Sequence, residues 1–331
     1  MYKIIRKILF TFPPEFSQAI SHYFLKFFSK LYYFEQRKFE VKGLTVKNRL
    51  GLAAGLDKNG QLIKNFDDIG FGFIEIGTVT PLPQNGNKKP RIHRIIEKES
   101  LLNSLGFPNQ GAQVIRKRLM RLQKDYCLGI NIGPNKSTTP ENMHKDYLNC
   151  YEKLSEFADF ITINISSPNT PDLRKLHNEE FVIKIIDEIT KSRDESKFKP
   201  KIFIKISPDE SEKEYIDIIS AVNKSKIDGL IVSNTSNNKK LKSILNVANK
   251  DGGISGKAIK EKSNKILKFV KSKLDKKKII VAVGGVFDVD SYYEKLDLGA
   301  DLVQMYTGFI YEGPNLIKRI VKNDNQKSSN S

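Results

Sequence analysis

The sequence has few of the residues that build disulfide-stabilised or metal-binding proteins. Only 2 of its 331 residues are cysteine, Cys127 and Cys150, and only 4 are histidine. Two cysteines cannot form a disulfide framework or a four-cysteine metal site, and the histidines share no ligand spacing. We therefore predict no metal site, and we interpret both cysteines as ordinary buried residues of a protein in a reducing compartment.

The chain also lacks an uninterrupted apolar run that could cross a membrane. Its most apolar segment is broken by Lys26 and Lys30, whereas a transmembrane helix needs about 20 apolar residues in succession. No small-residue cleavage site follows a compact apolar run, so the pattern is not that of a signal peptide. Any contact with a membrane is therefore expected at its surface.

A single basic stripe is missing as well, although the net charge is +18. The 56 Lys and Arg outnumber the 38 Asp and Glu, but the lysines are scattered through the predicted helices. A basic surface that faces anionic lipid explains this charge as well as nucleic acid does. We expect no nucleic-acid partner, and a nucleic-acid-binding barrel without redox activity stays the alternative from another class.

Residues 1–39 differ from the remainder in composition. They hold 12 of the 32 Phe and Tyr residues, with lysines and arginines between them. From Pro13 onward the apolar residues recur at helical spacing: Phe16, Ile20, Tyr23, Phe24, Phe27, Phe28 and Leu31. Such a cationic, aromatic helix can lie in a membrane interface or pack on the protein body, and composition alone leaves both open.

After residue 48 the pattern alternates between short apolar strands and helices. We predict eight strands, at residues 50–54, 72–76, 127–132, 160–164, 201–206, 229–233, 279–283 and 302–306. This order indicates the α/β class: a (β/α)8 TIM barrel at residues 40–322, with an N-terminal amphipathic helical extension at residues 1–39. Residues 81–101 form a long excursion that we expect to cover the barrel mouth, and residues 323–331 read as a disordered tail.

Polar residues and glycines follow the predicted strands, at the end where barrel enzymes bind their ligands. The fourth strand ends in the stretch from Asn164 to Arg174, which carries two prolines and reads on its own as a turn. Glycines follow strands six, seven and eight, which suggests backbone amides that approach a phosphate. Lys205, a cation near the end of strand five, suggests that an electron-rich ring binds beside it. FMN is the simplest cofactor that has both a phosphate and such a ring.

Several motifs together resemble the class 2, quinone-dependent dihydroorotate dehydrogenases. The motifs are residues 51–58 (GLAAGLDK), 74–81 (IEIGTVTP), 103–107 (NSLGF), 164–171 (NISSPNTP) and 252–256 (GGISG). The resemblance implies oxidation of (S)-dihydroorotate to orotate in pyrimidine synthesis, with FMN as hydride acceptor. It implies FMN contacts at Ala54, Gly55, Leu56, Asp57, Lys58, Thr78, Asn131, Asn164, Lys205, Ser233, Gly256, Gly285, Tyr306 and Thr307. Substrate contacts are implied at Lys58, Asn103, Ser104, Leu105, Gly106, Phe107, Asn164, Asn169, Asn234 and Thr235.

The same resemblance implies further roles. Ser167 would be the general base, where the soluble classes use cysteine, and Arg94 and Tyr306 would lie near the quinone head. Residues 1–39 would form a quinone tunnel on an anionic lipid surface, which favours the interfacial reading of that helix. We expect a monomer on the cytoplasmic side of a bacterial inner membrane. An FMN barrel that uses a soluble acceptor is the nearest alternative.

Overall fold

The computed structural model of the protein describes residues 2–166 and 179–329, and its centre is a closed barrel of eight parallel strands. Each strand pairs with the next barrel strand along the chain, and the last pairs with the first. The predicted (β/α)8 barrel is therefore confirmed. Its strands are β3 Leu50–Leu52, β4 Phe73–Val79, β7 Leu128–Ile132, β8 Phe160–Asn164, β9 Lys201–Ile206, β10 Gly229–Val232, β12 Ile279–Val283 and β13 Leu302–Met305.

The strands differ from the prediction mainly at their ends. Strands β3, β10 and β13 stop before Ala54, Ser233 and Tyr306, so these three residues belong to the loops that follow. Strand β4 instead begins one residue later and runs on to Val79, because its register against β7 shifts after Ile76 and pairing then resumes. The shift places the residues after Ile76 at the barrel mouth.

Aromatic rings fill one layer of the barrel interior. Phe160 lies between Phe73 and Phe203, with ring centroids 6.1 and 5.3 Å apart. Glycines on neighbouring strands make room for them, since a Cβ on Gly51 would lie 2.3 Å from the Phe73 ring and one on Gly129 would lie 2.0 Å from Phe160. The barrel is thus a packed core with no pore, and ligands are confined to its ends.

Helices connect the strands and cover the barrel. They are α3 Ile63–Asp68, α4 Ala112–Leu119, α5 Met143–Leu154, α6 Glu179–Glu195, α7 Glu212–Lys224, α8 Lys239–Ile244, α9 Lys260–Lys273, α10 Val289–Asp297, α11 Thr307–Glu312 and α12 Pro314–Ser329. A capping box starts α7, where the Ser211 hydroxyl accepts from Glu214 N and the Glu214 carboxylate accepts from Ser211 N. Helix α12 continues to Ser329, through residues for which the composition predicts a frayed tail.

The two ends of the barrel carry small additional sheets. A hairpin of β1 Phe39–Val41 and β2 Leu44–Val46 packs Leu44 and Val46 against the lower interior residues. At the mouth, β5 Ile92–Ile95, β6 Ser100–Asn103 and β11 Gly253–Gly256 form a three-stranded antiparallel sheet, which we call the mouth sheet. The excursion at residues 81–101 therefore contains ordered strand structure, and β6, in which it ends, continues to Asn103 on the ligand-binding side.

Helices α1 Tyr2–Thr11 and α2 Pro14–Phe28 lie beside the mouth sheet. They expose a large apolar surface: Ile4, Ile5, Ile8, Phe12, Phe16, Ile20, Tyr23, Phe24, Phe27 and Phe28. Arg91 binds the Glu15 carboxylate at 2.9 Å, which fastens α2 to the barrel body. Among the described helices, none combines the length and the apolar character needed to cross a membrane.

Candidate functional site

A cleft of about 1020 Å³ opens at the carboxyl ends of the barrel strands. Most of the residues predicted to bind a cofactor or substrate line it: Ala54, Gly55, Lys58, Thr78, Asn103, Leu105, Gly106, Phe107, Asn164, Lys205, Ser233, Asn234, Thr235, Gly256, Gly285, Tyr306 and Thr307. They lie in seven of the eight barrel strands or the loops that follow them, and in or just after the mouth sheet. The parallel barrel brings these distant sequence positions together because all its strands end at one face.

Thr78 and Asn164 form a rigid polar wall of this cleft, and Asn131, buried behind them on the strand between, orients both. The Thr78 hydroxyl donates to Asn131 Oδ1 at 2.6 Å, and Asn164 Nδ2 donates to the same oxygen at 3.1 Å. Asn164 Nδ2 also donates to Thr78 Oγ1 at 3.2 Å. All three residues are buried. Because each orientation is fixed by two partners, the wall presents hydrogen-bonding groups in one defined arrangement.

Behind this wall lies Glu75, a fully buried carboxylate on β4. It accepts from Asn131 Nδ2 at 2.8 Å and from Gln304 Nε2 at 2.5 Å. Its charge also acts on Lys205. Burial lowers the pKa of the Lys205 ammonium, and the Glu75 carboxylate partly opposes that shift. Glu75 thus helps to keep a cation inside the cleft.

Lys58 supplies a second cation to the cleft. Its Nζ donates to the Gly55 carbonyl at 2.7 Å, within the loop that follows β3. Burial and, to a lesser extent, the nearby Arg91 guanidinium lower the pKa of Lys58 to about 8, although Asp57 and Glu15 act in the opposite direction. A buried lysine with such a pKa gains from an anionic ligand, since an anion restores the stability of the ammonium form.

Ser166, just after β8, joins the Asn164 amide of this wall to the Asn234 amide of the loop after β10. Asn234 Nδ2 donates to the Ser166 hydroxyl at 3.0 Å, and Asn164 Oδ1 accepts from the Ser166 hydroxyl at 3.1 Å. Asn234 Oδ1 accepts from Thr235 N at 2.8 Å. These contacts fix the amides of Asn164 and Asn234 toward the same space. The cleft therefore pairs neutral amide groups with two lysines, a set that suits a small, flat anion.

Glycines line one end of the cleft, where Gly284 and Gly285 follow β12 and Gly256 ends β11. Gly284 and Gly285 have φ angles of +112° and +79°, a region that side-chain-bearing residues rarely adopt. Gly256 has a φ of +98°, and a Cβ there would lie 2.5 Å from the Glu99 carbonyl. Bare backbone therefore borders the cleft at the position where barrels commonly bind a phosphate.

A second, largely apolar cleft of about 820 Å³ lies between α1, α2 and the barrel. Tyr306, Asn103 and Ser255 line both clefts and form the wall between them. Burial raises the pKa of Tyr306 to about 12, so its hydroxyl stays neutral. Arg94, for which the resemblance implies a place near a quinone, lines the second cleft, and its guanidinium donates to Phe12 O at 2.7 Å and to Ser17 Oγ at 2.8 Å. It therefore also holds the end of α1.

Four residues with a predicted ligand contact do not line the first cleft. Leu56 lines the second cleft, and Asn131 is buried behind Thr78 and Asn164. The Asp57 carboxylate faces inward, where it accepts from the backbone N–H groups of residues 59, 61 and 62. Ser104 is not among the residues that line the first cleft, and its backbone N–H donates to the Arg91 carbonyl at 2.8 Å. Ser167 and Asn169 lie outside the described residues.

Four polar residues of the site escaped the sequence-based prediction: Ser166, Ser255, Glu75 and Gln304. Glu75 and Gln304 lie inside apolar strands, where the one visible signal was a polar residue in an otherwise buried run. Gln304 lines the first cleft and is fully buried, and within residues 2–166 and 179–329 its Oε1 has no hydrogen-bond partner. A buried orphan acceptor calls for a ligand donor, because its desolvation is otherwise uncompensated.

These features fit FMN. The orphan acceptor of Gln304 and the amide wall suit the polar edge of a flavin ring, Lys205 suits its electron-rich system, and the glycine-lined end suits a phosphate. The cleft also leaves Lys58 and Asn234 for a second, anionic molecule. The arrangement thus has room and chemistry for a cofactor and a small substrate side by side.

Comparison with known proteins gives one consistent result. The family model described as dihydroorotate dehydrogenase matches residues 37–327. The chain is 43% identical to the dihydroorotate dehydrogenase (quinone) of Vibrio parahaemolyticus, over 88% of this chain and 89% of that protein. It is also 43% identical to the enzyme of the same name from Buchnera aphidicola subsp. Schizaphis graminum, over 97% of this chain and 99% of that protein. A crystal structure of the Eimeria tenella dihydroorotate dehydrogenase in complex with ferulenol is similar, with a TM-score of 0.84 and 31% identity, over 94% of this chain and 92% of that one.

Proposed function

Because the chain belongs to the dihydroorotate dehydrogenase family, we propose that it oxidises (S)-dihydroorotate to orotate in pyrimidine synthesis and passes the electrons to a respiratory quinone. The observation that carries this proposal is the pairing of two lysines with fixed asparagine amides in one cleft at the barrel mouth. Dihydroorotate is a small ring with amide groups along one edge and a carboxylate on a saturated carbon. Lys58 complements the carboxylate, and the amides of Asn164 and Asn234 complement the ring edge.

FMN, bound at the site described above, would supply the hydride acceptor of the first half-reaction. The residues proposed to hold it are Ala54, Gly55, Thr78, Asn164, Lys205, Ser233, Gly256, Gly285, Tyr306 and Thr307, all of which line the cleft, with Asn131 orienting two of them. Lys205 places a positive charge beside the ring, where negative charge develops on reduction. Its burial strengthens this interaction, since few water dipoles compete with it.

The substrate's reacting carbons must be held against the cofactor by non-covalent contacts alone. Asn103, Asn234 and Thr235 come from the mouth sheet and from the loop after β10, so they approach the substrate from two sides. Leu105, Gly106 and Phe107 close the cleft above it and exclude water. Fixing the ring in this way lowers the activation free energy by orientation.

Removal of the substrate proton requires a base, and we assign this role to Ser167. The assignment is supported by the motif at residues 164–171, whose first member, Asn164, lies in the amide wall of the cleft. Asn169 of the same motif is proposed as a substrate contact. A serine hydroxyl is a weak base, so its proton must pass on to a further acceptor as the substrate's proton arrives.

The second cleft is proposed as the entry path of the quinone. Apolar side chains of α1 and α2 line it, and Tyr306 separates it from the first cleft, so an apolar acceptor can come close to the cofactor without meeting the substrate. The exposed aromatic face of residues 1–39, with its interspersed cations, suits the surface of a bilayer that contains anionic lipid. We propose a monomeric, peripheral protein on the cytoplasmic side of a bacterial inner membrane.

A two-stage spectroscopic experiment tests this function. Dihydroorotate is added to the purified protein without oxygen, and bleaching of the bound flavin absorbance is recorded. A quinone is then added, and the absorbance is expected to return. A colourless protein would contradict the cofactor assignment. Reoxidation by fumarate or NAD, with no response to quinone, would favour the soluble-acceptor alternative. Reoxidation by quinone that is unchanged after removal of residues 1–39 would contradict the proposed entry path.

A further inference from the structure

Lys295 is a fully buried cation that the proposed mechanism does not use. It lies on α10, and its relative exposure is 0%. Its Nζ donates to Ser263 Oγ at 2.9 Å and to Asn264 Oδ1 at 2.5 Å, and both acceptors are neutral. Burial lowers the pKa of Lys295 to about 7. A methionine would fill similar space without this desolvation cost, so the ammonium requires an explanation.

The contacts of Lys295 lead directly to the glycine-lined end of the first cleft. Ser263, which accepts from Lys295, donates to the Val283 carbonyl at 2.7 Å. That carbonyl belongs to the peptide that joins Val283 to Gly284. The Ser263 hydroxyl also borders the turn itself, because a Cβ on Gly284 would lie 3.2 Å from it. Two hydrogen bonds in series therefore tie the ammonium to the start of the turn.

The nearest opposite charge is already engaged by another lysine. Glu294 forms an ion pair with Lys260 at 2.7 Å, and it reaches Lys295 through Asn264, whose Nδ2 donates to the carboxylate at 2.7 Å. Lys260 in turn packs against Gly285, where a Cβ would meet Lys260 Cβ at 2.5 Å. Glu261 and Asp288 also act on Lys260, so charges of both signs lie behind the turn, and Lys295 reaches the turn through its hydrogen bonds and not through a net charge.

We propose that Lys295 is a positioning residue for the phosphate of the cofactor, because it fixes the Gly284–Gly285 turn through Ser263. This inference rests on the proposed function, since it takes FMN as the occupant of the first cleft. Hydrogen bonds in series polarise one another, so the link also strengthens the dipole of the peptide that faces the phosphate. Lys295 itself does not line the cleft and touches no ligand.

The test compares FMN with riboflavin, which has the same ring system and no phosphate. Full-length protein is stripped of flavin and titrated with each compound, and binding is followed by flavin fluorescence. In Lys295→Met we expect the affinity for FMN to fall roughly tenfold, about the effect of losing one hydrogen bond to a charged group, while riboflavin affinity changes by less than about twofold. Lys242→Met is the matched control, because Lys242 is also buried but lines neither cleft. It should leave the ratio of the two affinities unchanged.

Equal losses of affinity for FMN and riboflavin would show a merely structural role for Lys295. No loss for either compound would also leave the ratio of affinities unchanged and overturn the proposal. Should Lys295→Met fail to fold, Ser263→Ala carries the test, since it keeps the ammonium and removes its link to Val283. The ratio of affinities must then shift in the same direction. A wild-type protein that binds neither flavin would refute the cofactor assignment itself, an outcome distinct from either of these.

Discussion

The lowered pKa of Lys58 predicts that anionic ligands lose affinity as the pH rises. The proposed partner of the substrate carboxylate is the ammonium form, and its pKa in the free protein is about 8. About nine-tenths of this lysine is therefore protonated at about pH 7 and about one-tenth at about pH 9. If only the protonated form binds the carboxylate, affinity falls about tenfold across this range.

A rise in pH acts through Lys58 in opposite directions on ligand affinity and on folding stability. The pKa of Lys58 is lower in the folded protein than its ordinary value of 10.5, so the unfolded chain binds more protons between these two values. The contribution of this group to the free energy of unfolding therefore rises with pH from about 8 upward. A loss of orotate affinity over the same range cannot then be attributed to unfolding through Lys58.

Orotate is the suitable ligand for the assay, because its binding involves no chemical step. Its dissociation constant is measured from the shift in bound-flavin absorbance at intervals from about pH 6.5 to about pH 9.5. Lys205 also lines the cleft and also has a lowered pKa, so a substitution must separate the two lysines. In Lys58→Arg the guanidinium stays charged throughout, and the alkaline loss should disappear. A tenfold loss that persists in Lys58→Arg, or a wild-type affinity that is flat over this range, would refute the reasoning.

Further predictions concern the base, the N-terminal helices, the buried carboxylate and the glycine turn. Ser167→Ala is expected to bind FMN and orotate but to reduce flavin slower by orders of magnitude in stopped-flow absorbance; near-normal reduction would refute its role. Arg94→Ala frees the end of α1, so reoxidation by quinone should slow while reduction by dihydroorotate stays unchanged. In Glu75→Gln the new NH2 group must face the NH2 group of either Asn131 or Gln304. The loss of that hydrogen bond should lower the free energy of unfolding in urea by about 1–3 kcal/mol. An unchanged urea midpoint would contradict this network. Gly285→Ala should weaken FMN retention on dilution, whereas Gly43→Ala, with a similar φ of +81° far from the clefts, should affect stability alone.

The fold could be predicted from the sequence because each barrel strand is a short apolar run buried on both faces. Such runs have a strong signal, and the runs at residues 160–164, 201–206 and 279–283 match the observed strands at both ends. The carboxyl end of strand β4 could not be predicted, since its continuation to Val79 depends on a register shift against β7. No local pattern encodes a shift that arises from the pairing of two distant strands. The mouth sheet likewise joins β6 to β11, which lies about 150 residues away along the chain.

The cleft was predicted better than the roles of its individual residues. Listing the residues at strand ends identified Thr78, Asn164 and Lys205 as neighbours, because a parallel barrel brings those ends to one face. The direction of each side chain could not be read in the same way. Asp57 follows its strand as a ligand would, yet its carboxylate caps three backbone N–H groups. Whether a carboxylate faces a ligand or its own loop is decided by the backbone conformation around it.

The mouth sheet has a consequence for building chimaeras between relatives. Residues just before and within β5, Arg91 and Arg94, hold α2 and α1, while β6 ends in Asn103 inside the substrate cleft. The N-terminal helices and the catalytic cleft therefore share one hydrogen-bonded unit, although some 80 residues separate Glu15 from Arg94 in the chain. An exchange of residues 1–39 alone would bring foreign helices onto native arginines. An exchange that also carries residues 91–103 preserves the attachment, so the transferable module is discontinuous in sequence.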